Sequence, residues 1–370
     1  MNNLDVYRLT FLSGVHVGER GVNLEEHSVQ VSAGTLFAAL TAVFRRMGHD
    51  PAAFAAPFLQ QAPPFLLSSL FPYAGDVRFF PLPVPLLRWF TPETLKARRK
   101  DLKRVRFVSE GVLRRMLAGE ALDDWLFPAG EMAESERGVA LQNGAFWLMA
   151  EEASRLPEAL QRARGKRHAL RRLQVYQGDK VPRVTVDRIN ARSEIYHTGR
   201  VRFAPGCGLW FGVAWRAPED GVGEMGLTYR DALMQTLTLL GEDGLGGERS
   251  VGYGAFTFAQ AAALALPAPT PGAPLLLLSR YHPRAEELPA ALHGPAAAYN
   301  LIPKGGWVQT WDGVARRRKR LWLLAEGSVV QTVGVGPWGD VVNVQPDGFP
   351  HPVWRYGYAL GAALAGGGAA

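Results

Sequence analysis

The sequence predicts an α+β protein made of two ferredoxin-like (RRM-like) units, and two features support this class. Outside an insertion at about 88–200, the first 262 of the 370 residues follow the order strand, helix, strands, helix, strand. That is the βαββαβ order of a ferredoxin-like unit. A linker rich in Pro, Ala and Gly at 261–274 then precedes a new apolar strand. We therefore expect an N-terminal domain at 1–262 and a C-terminal domain at 272–370.

The first strand and the first helix have clear periodicities. Residues 6–12 alternate and are rich in β-forming residues, which predicts a strand. Residues 33–47 predict a helix, because Leu36, Leu40 and Val43 recur at helical spacing. Ser32 directly precedes this run and is the expected N-cap.

The middle of the first unit is predicted as hairpins around an insertion. Residues 65–71 and 77–82 indicate a hairpin around 73–76, and residues 199–204 and 208–215 indicate another about Pro205 and Gly206. Residues 88–160 within the insertion are predicted to be mostly helical.

A glycine-rich loop at 241–254 closes the first unit. Thr228 and Asp231 resemble a capping box that starts a helix at 228–240, and Gly241 suits its C-cap. Residues 250–258 then alternate as a strand, with Gly252 and Gly254 on one open face that a backbone or a phosphate can approach. The loop amides can form an anion-binding nest beside Arg249, although plain tight turns would also explain these glycines.

The second unit is predicted from shorter segments. It begins with a strand at 275–280 and continues through 288–298, a turn at Gly305 and Gly306, strands at 320–325 and 329–335, and a tail at 356–365.

Positive charge is concentrated in one stretch. Residues 162–202 contain twelve Lys or Arg and three acidic residues, a net charge of +9, whereas the whole chain is +7. Such a localised excess is typical of a nucleic-acid footprint, and Tyr176 and Tyr196 can stack on unpaired bases there. A shorter run, 316–320, is interpreted as the flank of the following strand.

No catalytic or metal-binding pattern stands out. The single cysteine, Cys207, excludes a disulfide framework and a thiolate-rich zinc site, and the eight histidines lack metal-ligand spacing. We therefore expect no cofactor, no metal and no catalytic residue. Residues 1–14 lack an apolar signal-peptide core and no apolar run is long enough to cross a membrane, so we expect a cytoplasmic protein.

Several segments in order resemble one family. They are a strand and His-x-Gly loop at 9–18, a helix start at 32–40, a hairpin segment at 182–196, the glycine loop at 243–254, and C-terminal segments at 299–307, 325–328 and 355–359. Together they closely resemble the RAMP proteins of CRISPR effector complexes, most of all the fourth Csm subunits of type III-A complexes. The family usually has Ser-Asp-Thr where this chain has Ser32, Ala33, Gly34 and Thr35.

The resemblance implies a function in antiviral defence. It implies an RNA-binding structural subunit without enzyme activity, which holds the 5′ handle of the crRNA. The implied protein partners are the large polymerase-like subunit and the first backbone RAMP subunit. A thumb-like β-hairpin would wedge into the guide–target duplex, which makes target RNA an indirect partner. The expected RNA-binding residues are Gly244, Gly246, Gly247, Arg249, Ser250, Gly252, Tyr253, Gly254, Arg183, Thr185, Arg188, Arg192, His16 and Thr35.

Two other functions remain open at this stage. The first is a RAMP-type endoribonuclease that processes precursor crRNA, with His16 as general base in its glycine-flanked loop. The second is a structural subunit whose basic segment meets an acidic protein instead of RNA.

Overall fold

A computed structural model describes residues 1–18, 29–130, 135–161, 167–186, 193–310 and 314–365, with only the backbone of 167–169, 183, 185, 186, 193–198 and 309. The helices are Ala33–Arg46 (α1), Pro51–Leu59 (α2), Pro92–Ala97 (α3), Arg99–Leu102 (α4), Glu110–Leu117 (α5), Glu158–Gln161 (α6), Tyr229–Asp243 (α7) and Leu288–His293 (α8). The mixture of these helices with the strands below confirms the α+β class. None of the described helices is both long and apolar enough to cross a membrane.

The strands fall into one large sheet and several small ones. The large sheet contains Asn2–Phe11 (β1), Phe65–Leu67 (β2), Phe71–Ala74 (β3), Val77–Pro81 (β4), Phe107–Ser109 (β5), Gly138–Leu141 (β6), Phe146–Met149 (β7), Cys207–Trp215 (β10) and Phe256–Leu266 (β11). The small ladders use Tyr176–Val186 (β8), Ser193–Phe203 (β9), Pro274–Leu277 (β12), Leu301–Lys304 (β13), Trp307–Gln309 (β14), Ala315–Arg317 (β15), Leu321–Leu324 (β16), Val329–Gln331 (β17), Val341–Asn343 (β18), Trp354–Tyr356 (β19) and Gly361–Ala363 (β20).

Strand β1 lies inside the large sheet, between β11 and β10, and pairs antiparallel with both. The sheet continues from β10 through β3, β4, β5 and β7 to β6, while β2 also pairs with β10. Leu4, Val6 and Leu9 of β1 are fully buried, and α7, which packs on α1, lies against β11. The first and last strands of the predicted βαββαβ order therefore lie side by side.

Three local predictions about this half of the chain have different outcomes. Ser32 occupies the N-cap position of α1, but its side chain makes no capping hydrogen bond to the backbone and instead lies 3.0 Å from the Thr35 hydroxyl. The β3–β4 hairpin forms as expected. The hairpin predicted about Pro205 and Gly206 is wrong, because β10 pairs with β1, β2 and β3, while β9 pairs with β8.

The insertion contains the helices α3–α6, but it also extends the large sheet, which was not predicted. Strand β5 pairs with β4, and β7 pairs with both β5 and β6. Phe146, Trp147 and Leu148 of β7 are fully buried. A strand of four residues buried on both faces shows no alternation, so periodicity cannot distinguish it from a helix segment.

Strands β8 and β9 form a separate two-stranded hairpin at the place where a thumb-like hairpin was expected. Their ladder runs from Tyr176 opposite Phe203 to Val186 opposite Ser193. A pair of backbone hydrogen bonds between Val15 and Val201 joins the base of this hairpin to the segment after β1.

The C-terminal part has a three-stranded sheet in the order β17, β12, β20 and three further two-stranded ladders. Its core is continuous with that of the N-terminal part, since Leu276, Val329 and Leu360 belong to the same buried cluster as β1. The Tyr356 hydroxyl accepts a hydrogen bond of 2.9 Å from the Leu67 amide across this junction. The second ferredoxin-like unit, and the division of the chain at 262–272, remain predictions.

A buried ion pair lies at the same junction. Glu326 is 3.3 Å from Arg280, both side chains are 4% exposed, and the Ser69 hydroxyl donates a 2.6 Å hydrogen bond to Glu326. Burial acts to raise the pKa of Glu326, but the charge of Arg280 and the Ser69 hydrogen bond outweigh it, so the pKa lies below its usual value. Burial and two neighbouring arginines, Arg318 and Arg280, lower the pKa of Arg355.

Candidate nucleic-acid interface

The glycine loop begins where α7 ends. Thr228 and Asp231 form the predicted capping box, in which the Asp231 amide donates to the Thr228 hydroxyl at 3.1 Å. The predicted C-cap at Gly241 is wrong, because the helix runs to Asp243 and Gly244 follows at φ +86°. Gly241 is needed for space, since a Cβ there would lie 2.6 Å from the Phe256 carbonyl oxygen.

Three glycines allow this loop to fold tightly against its neighbours. A Cβ on Gly246 would lie 2.3 Å from the His16 carbonyl oxygen, and one on Gly254 would lie 2.3 Å from the Leu245 carbonyl oxygen. A Cβ on Gly247 would lie 2.9 Å from His16 Cδ2. Other protein atoms already fill the space that these glycines leave, so this space is closed to a ligand.

The strand predicted at 250–258 begins only at Phe256, and Arg249–Val251 forms a single 3₁₀ turn instead. Gly252 and Gly254 have φ of +83° and +84°, so they are turn residues, not members of one strand face. The prediction was wrong because repeated glycines in a turn imitate the alternation of a strand. At Gly252 a Cβ would meet no atom within 4 Å.

The loop therefore presents one exposed tip. We define the loop tip as Arg249, Ser250, Val251 and Gly252, all of which are exposed. The amides of Val251 and Gly252 donate to the carbonyls of Glu248 and Arg249. The predicted nest is thus partly used by the loop itself, and the guanidinium of Arg249 and the Ser250 hydroxyl are the groups best placed to meet an anion.

The segment after β1 holds the base of the loop in place. The Gly254 amide donates to the Gly14 carbonyl and the Gly247 amide donates to the His16 carbonyl, each at 2.9 Å. The Ser13 hydroxyl donates to the Gly252 carbonyl at 2.6 Å. Because this segment also pairs with Val201 of β9, it connects the glycine loop to the β8–β9 hairpin.

His16 occupies the centre of this connection. Its side chain is 7% exposed, and its Nδ1 lies 2.5 Å from the Gly199 carbonyl oxygen. A carbonyl can only accept a hydrogen bond, so Nδ1 carries the proton in this contact. The geometry gives His16 a structural role between loop and hairpin.

An ionic and aromatic cluster lies beside His16. Arg200 is 3.2 Å from Asp179 within the hairpin, and its guanidinium carbon is 5.8 Å from the centroid of the Tyr253 ring. Tyr253 itself is 8% exposed, so it supports the loop and is closed to base stacking. Partial desolvation acts to raise the pKa of Asp179, but hydrogen bonds from Arg200 and Arg202 outweigh it and hold the pKa below its usual value.

The remaining predicted residues lie apart from the loop or outside the described residues. Thr35 is half-buried in the first turn of α1, and within the described residues no hydrogen bond joins it to the glycine loop. The backbones of Arg183 and Thr185 lie in β8, opposite Tyr196 and Glu194, but their side chains are not described. Arg188 and Arg192 lie outside the described residues.

Part of the predicted basic segment is already neutralised. Arg171 is buried and lies 3.1 Å from Asp101, while Arg200 and Arg202 share Asp179. A count of charges along the sequence cannot identify these partners, because Asp101 is 70 residues away from Arg171.

The sequence analysis missed two contributors to the site. Gly14 is essential for space, since a Cβ there would lie 2.2 Å from Arg200 Cδ. Arg200 was counted as charge but not assigned to the loop. The glycine directly after Ser13 was a possible signal, whereas nothing in the local sequence indicates that Arg200 approaches Tyr253.

Histidine, cysteine, aspartate and glutamate side chains are the usual protein ligands of metal ions such as zinc. Across them, no group of three or more His, Cys, Asp or Glu side chains is arranged to hold an ion. Burial raises the pKa of the Cys207 thiol to about 12, as expected for an inert core cysteine.

Comparison with known proteins points to one group. Residues 271–364 match the family model of the CRISPR Csm4 C-terminal domain. A protein of Mycobacterium tuberculosis named CRISPR system Cms protein Csm4 is 26% identical over 366 residues, which cover 98% of each chain. A protein of the same name from Thermococcus onnurineus is 26% identical over 186 residues, covering 50% of this chain and 54% of that one.

Solved structures share the fold over almost the whole chain. A chain of the Csm3–Csm4 subcomplex in the type III-A CRISPR-Cas interference complex superposes with a TM-score of 0.60 at 16% identity, covering 98% of this chain and 99% of that one. A chain of the Csm1–Csm4 cassette in complex with cA4 gives a TM-score of 0.55 at 16% identity, with 98% of both chains covered. At this level of identity the likeness concerns the fold.

Proposed function

We propose that this chain, a Csm4-like RAMP subunit of a type III CRISPR effector complex, binds the 5′ handle of the crRNA through its glycine-loop tip. The family-model match and the relatives confirm the family resemblance found in the sequence. Handle binding is the step that we add to it. The observation that carries the proposal is the exposed tip, Arg249–Gly252, mounted on a tightly packed base.

A rigid base with an exposed cationic tip suits capture of a single strand. Gly246, Gly247 and Gly254 leave no space for side chains, so the loop backbone is fixed before any ligand arrives. A fixed loop loses little conformational entropy on binding, which favours affinity. Unpaired RNA displays its phosphates and base edges to such loops, whereas the deep groove of duplex RNA does not.

The β8–β9 hairpin extends this site. His16 contacts both the hairpin and the glycine loop, so an RNA strand that leaves the loop tip can follow the hairpin. We infer that Arg183, Arg188 and Arg192 contact RNA there, in the part of the sequence with the highest positive charge. A thumb-like role against the guide–target duplex belongs to the same proposal.

The proposed protein partners follow from the relatives. The solved neighbours pair Csm4 with Csm3 and with Csm1, so we propose a backbone subunit and a large polymerase-like subunit as partners of this chain. Assembly of such a complex takes place in the cytoplasm, where crRNA is available.

We propose that the chain has no nuclease activity of its own. Nδ1 of His16 donates to the Gly199 carbonyl and the side chain is 7% exposed, which suits support better than proton transfer to a substrate. Incubation of the purified protein with labelled precursor RNA, with and without Mg²⁺, should leave the RNA intact. Specific cleavage that disappears in His16→Ala would establish the endoribonuclease alternative instead.

The handle proposal is tested by identifying the bound RNA. The protein is purified from cells that express a CRISPR array, and the RNA that accompanies it is sequenced. We expect crRNA whose 5′ handle is protected from nuclease, and tighter binding of a handle oligonucleotide than of its scrambled control. Equal affinity for the two oligonucleotides would exclude handle recognition by the free subunit.

A further inference from the structure

A second basic surface lies in the C-terminal part, far along the sequence from the glycine loop. Residues 316–320 are five consecutive basic residues, and all except the half-buried Arg318 are exposed. Two tryptophans accompany this run, Trp307 at 56% and Trp322 at 55% exposure. We call Arg316–Arg320 with Trp307 and Trp322 the C-terminal basic surface.

The strands of two small ladders position these side chains. Trp307 of β14 lies opposite Arg317 of β15, and the Arg317 guanidinium carbon is 5.3 Å from the centroid of the Trp307 ring. Trp322 of β16 lies opposite Pro303 of β13. Arg318 points inward, donates to the Gly305 carbonyl at 3.1 Å and has a pKa lowered by burial. It supports the chain between the two ladders, while its neighbours face solvent.

The exposed arginines of this surface have no carboxylate partner among the described residues, so their charge can act on a ligand. Within the described residues, Arg317 and Arg320 form no ion pair, and Arg316 donates to a backbone carbonyl, that of Asp347. Lys319 alone pairs with a carboxylate, Asp347, at 2.9 Å. This differs from the described part of 162–202, where Arg171, Arg200 and Arg202 are neutralised by carboxylates.

A groove of about 680 Å³ adjoins the run. It is lined by Arg320, Trp322 and the exposed apolar side chains Leu288 and Leu301. Of its carboxylates, Glu286 lies 3.1 Å from Arg284, and Asp340 lies 2.7 Å from His282 Nδ1. Arg320 contributes a positive charge to the groove, and Trp322 contributes exposed aromatic surface.

We propose that the C-terminal basic surface binds single-stranded RNA without sequence preference. Such sites combine arginines along the path of the RNA backbone with exposed aromatic rings. Any base can stack on these rings, so binding does not depend on sequence. Lysine is depleted in protein interfaces, whereas this run of five basic residues includes the exposed Lys319. The site is independent of handle capture, because none of its residues belongs to the glycine loop.

The test uses the full chain and an oligouridine that lacks the handle sequence, with affinity measured over a range of salt concentrations. We expect the triple variant Arg316→Gln, Arg317→Gln, Arg320→Gln to reduce the salt slope by about 2, at ~0.7 for each lost phosphate contact of a single strand. Trp307→Ala and Trp322→Ala should each weaken binding about tenfold and leave the slope unchanged, since stacking is worth ~1–3 kcal/mol per base.

Matched variants distinguish RNA binding at this surface from a general effect of charge loss and from binding at the glycine loop. Arg137 is also exposed and lies 5.4 Å from a tryptophan ring, that of Trp125, so Arg137→Gln controls for loss of one such cation. We expect Arg137→Gln to bind oligouridine like the wild type, and thiouridine-containing RNA to crosslink within 307–322. Loss of oligouridine binding in Arg249→Gln alone would assign it to the glycine loop and overturn the proposal. Unchanged RNA binding by the triple variant, with loss of a copurifying subunit, would make this surface a protein interface.

Discussion

Nδ1 of His16 donates a hydrogen bond of 2.5 Å to the carbonyl oxygen of Gly199, and this contact joins the glycine loop to the β8–β9 hairpin. The backbone carbonyl of the same histidine accepts from Gly247 on the loop side. One residue thus contacts both parts of the proposed RNA path. A histidine in a glycine-flanked loop resembles a catalytic base in the sequence, and its partners give it a supporting role in the structure.

We predict that His16→Ala lowers the free energy of unfolding by about 1–3 kcal/mol, because the Gly199 carbonyl loses its partner in a buried place. His16→Asn should recover most of this loss, since the amide nitrogen of asparagine can donate from nearly the same position. Chemical denaturation of the two variants measures the difference. If Ala and Asn are equally destabilising, the hydrogen bond to Gly199 is not what His16 contributes.

We predict that Gly254→Ala is far more destabilising than Gly252→Ala. Both residues have φ near +83°, so the backbone strain of an added Cβ, about 1–2 kcal/mol, is common to both. Only at Gly254 would the Cβ also meet a carbonyl oxygen, that of Leu245, at 2.3 Å. Thermal unfolding should show a small shift for Gly252→Ala and a large one for Gly254→Ala. Equal shifts would mean that the loop relaxes around the added methyl group.

We predict that Arg200→Gln loosens the hairpin relative to the loop. The change removes the contact with Asp179 and the stacking on Tyr253, whereas Arg202→Gln removes only a contact with the same Asp179. Hydrogen exchange of the β8 and β9 amides near Val201 should therefore accelerate in Arg200→Gln and change little in Arg202→Gln. Similar exchange in both variants would place the effect in the Asp179 ion pair alone.

We predict that Glu326→Gln lowers the free energy of unfolding by about 3–5 kcal/mol, because it removes the buried carboxylate that pairs with the buried Arg280. The pKa of Glu326 is depressed in the folded state, so its contribution is complete above the ordinary glutamate pKa, about 4.3. It is lost as the pH falls through the folded-state value. Unfolding followed from pH 7 downward should show the wild type and Glu326→Gln converging in acid. A difference that is constant with pH would contradict this assignment.

The sequence predicted elements whose signals are local and missed contacts made over long distances. The capping box at Thr228 and the first strand were identified correctly because they depend on neighbouring residues. The strands of the insertion were missed because segments such as 146–149 are uniformly apolar and gain their identity only by pairing in the large sheet. The position of Gly252 was misjudged because a turn with φ +83° and a strand can have the same glycine spacing.

A count of charges has the same limitation, because it ignores contacts between residues that are far apart in the sequence. The net charge of a segment can be counted, but Asp101 contacts Arg171 of the basic segment from 70 residues away and neutralises part of its charge. The run at 316–320 looked minor beside it, yet four of its five side chains are exposed, and Arg317 lies against the Trp307 ring.

The most direct test of the central claim is the affinity of the handle oligonucleotide for Arg249→Gln, measured over a range of salt concentrations beside the wild type. Arg249 is exposed at the loop tip, so its loss should leave the melting temperature unchanged. We predict about tenfold weaker binding, from loss of a charged hydrogen bond worth ~1.5–3 kcal/mol, and a salt slope reduced by about 0.7. Identical affinity and an identical slope for the two proteins would show that the handle does not contact the glycine loop.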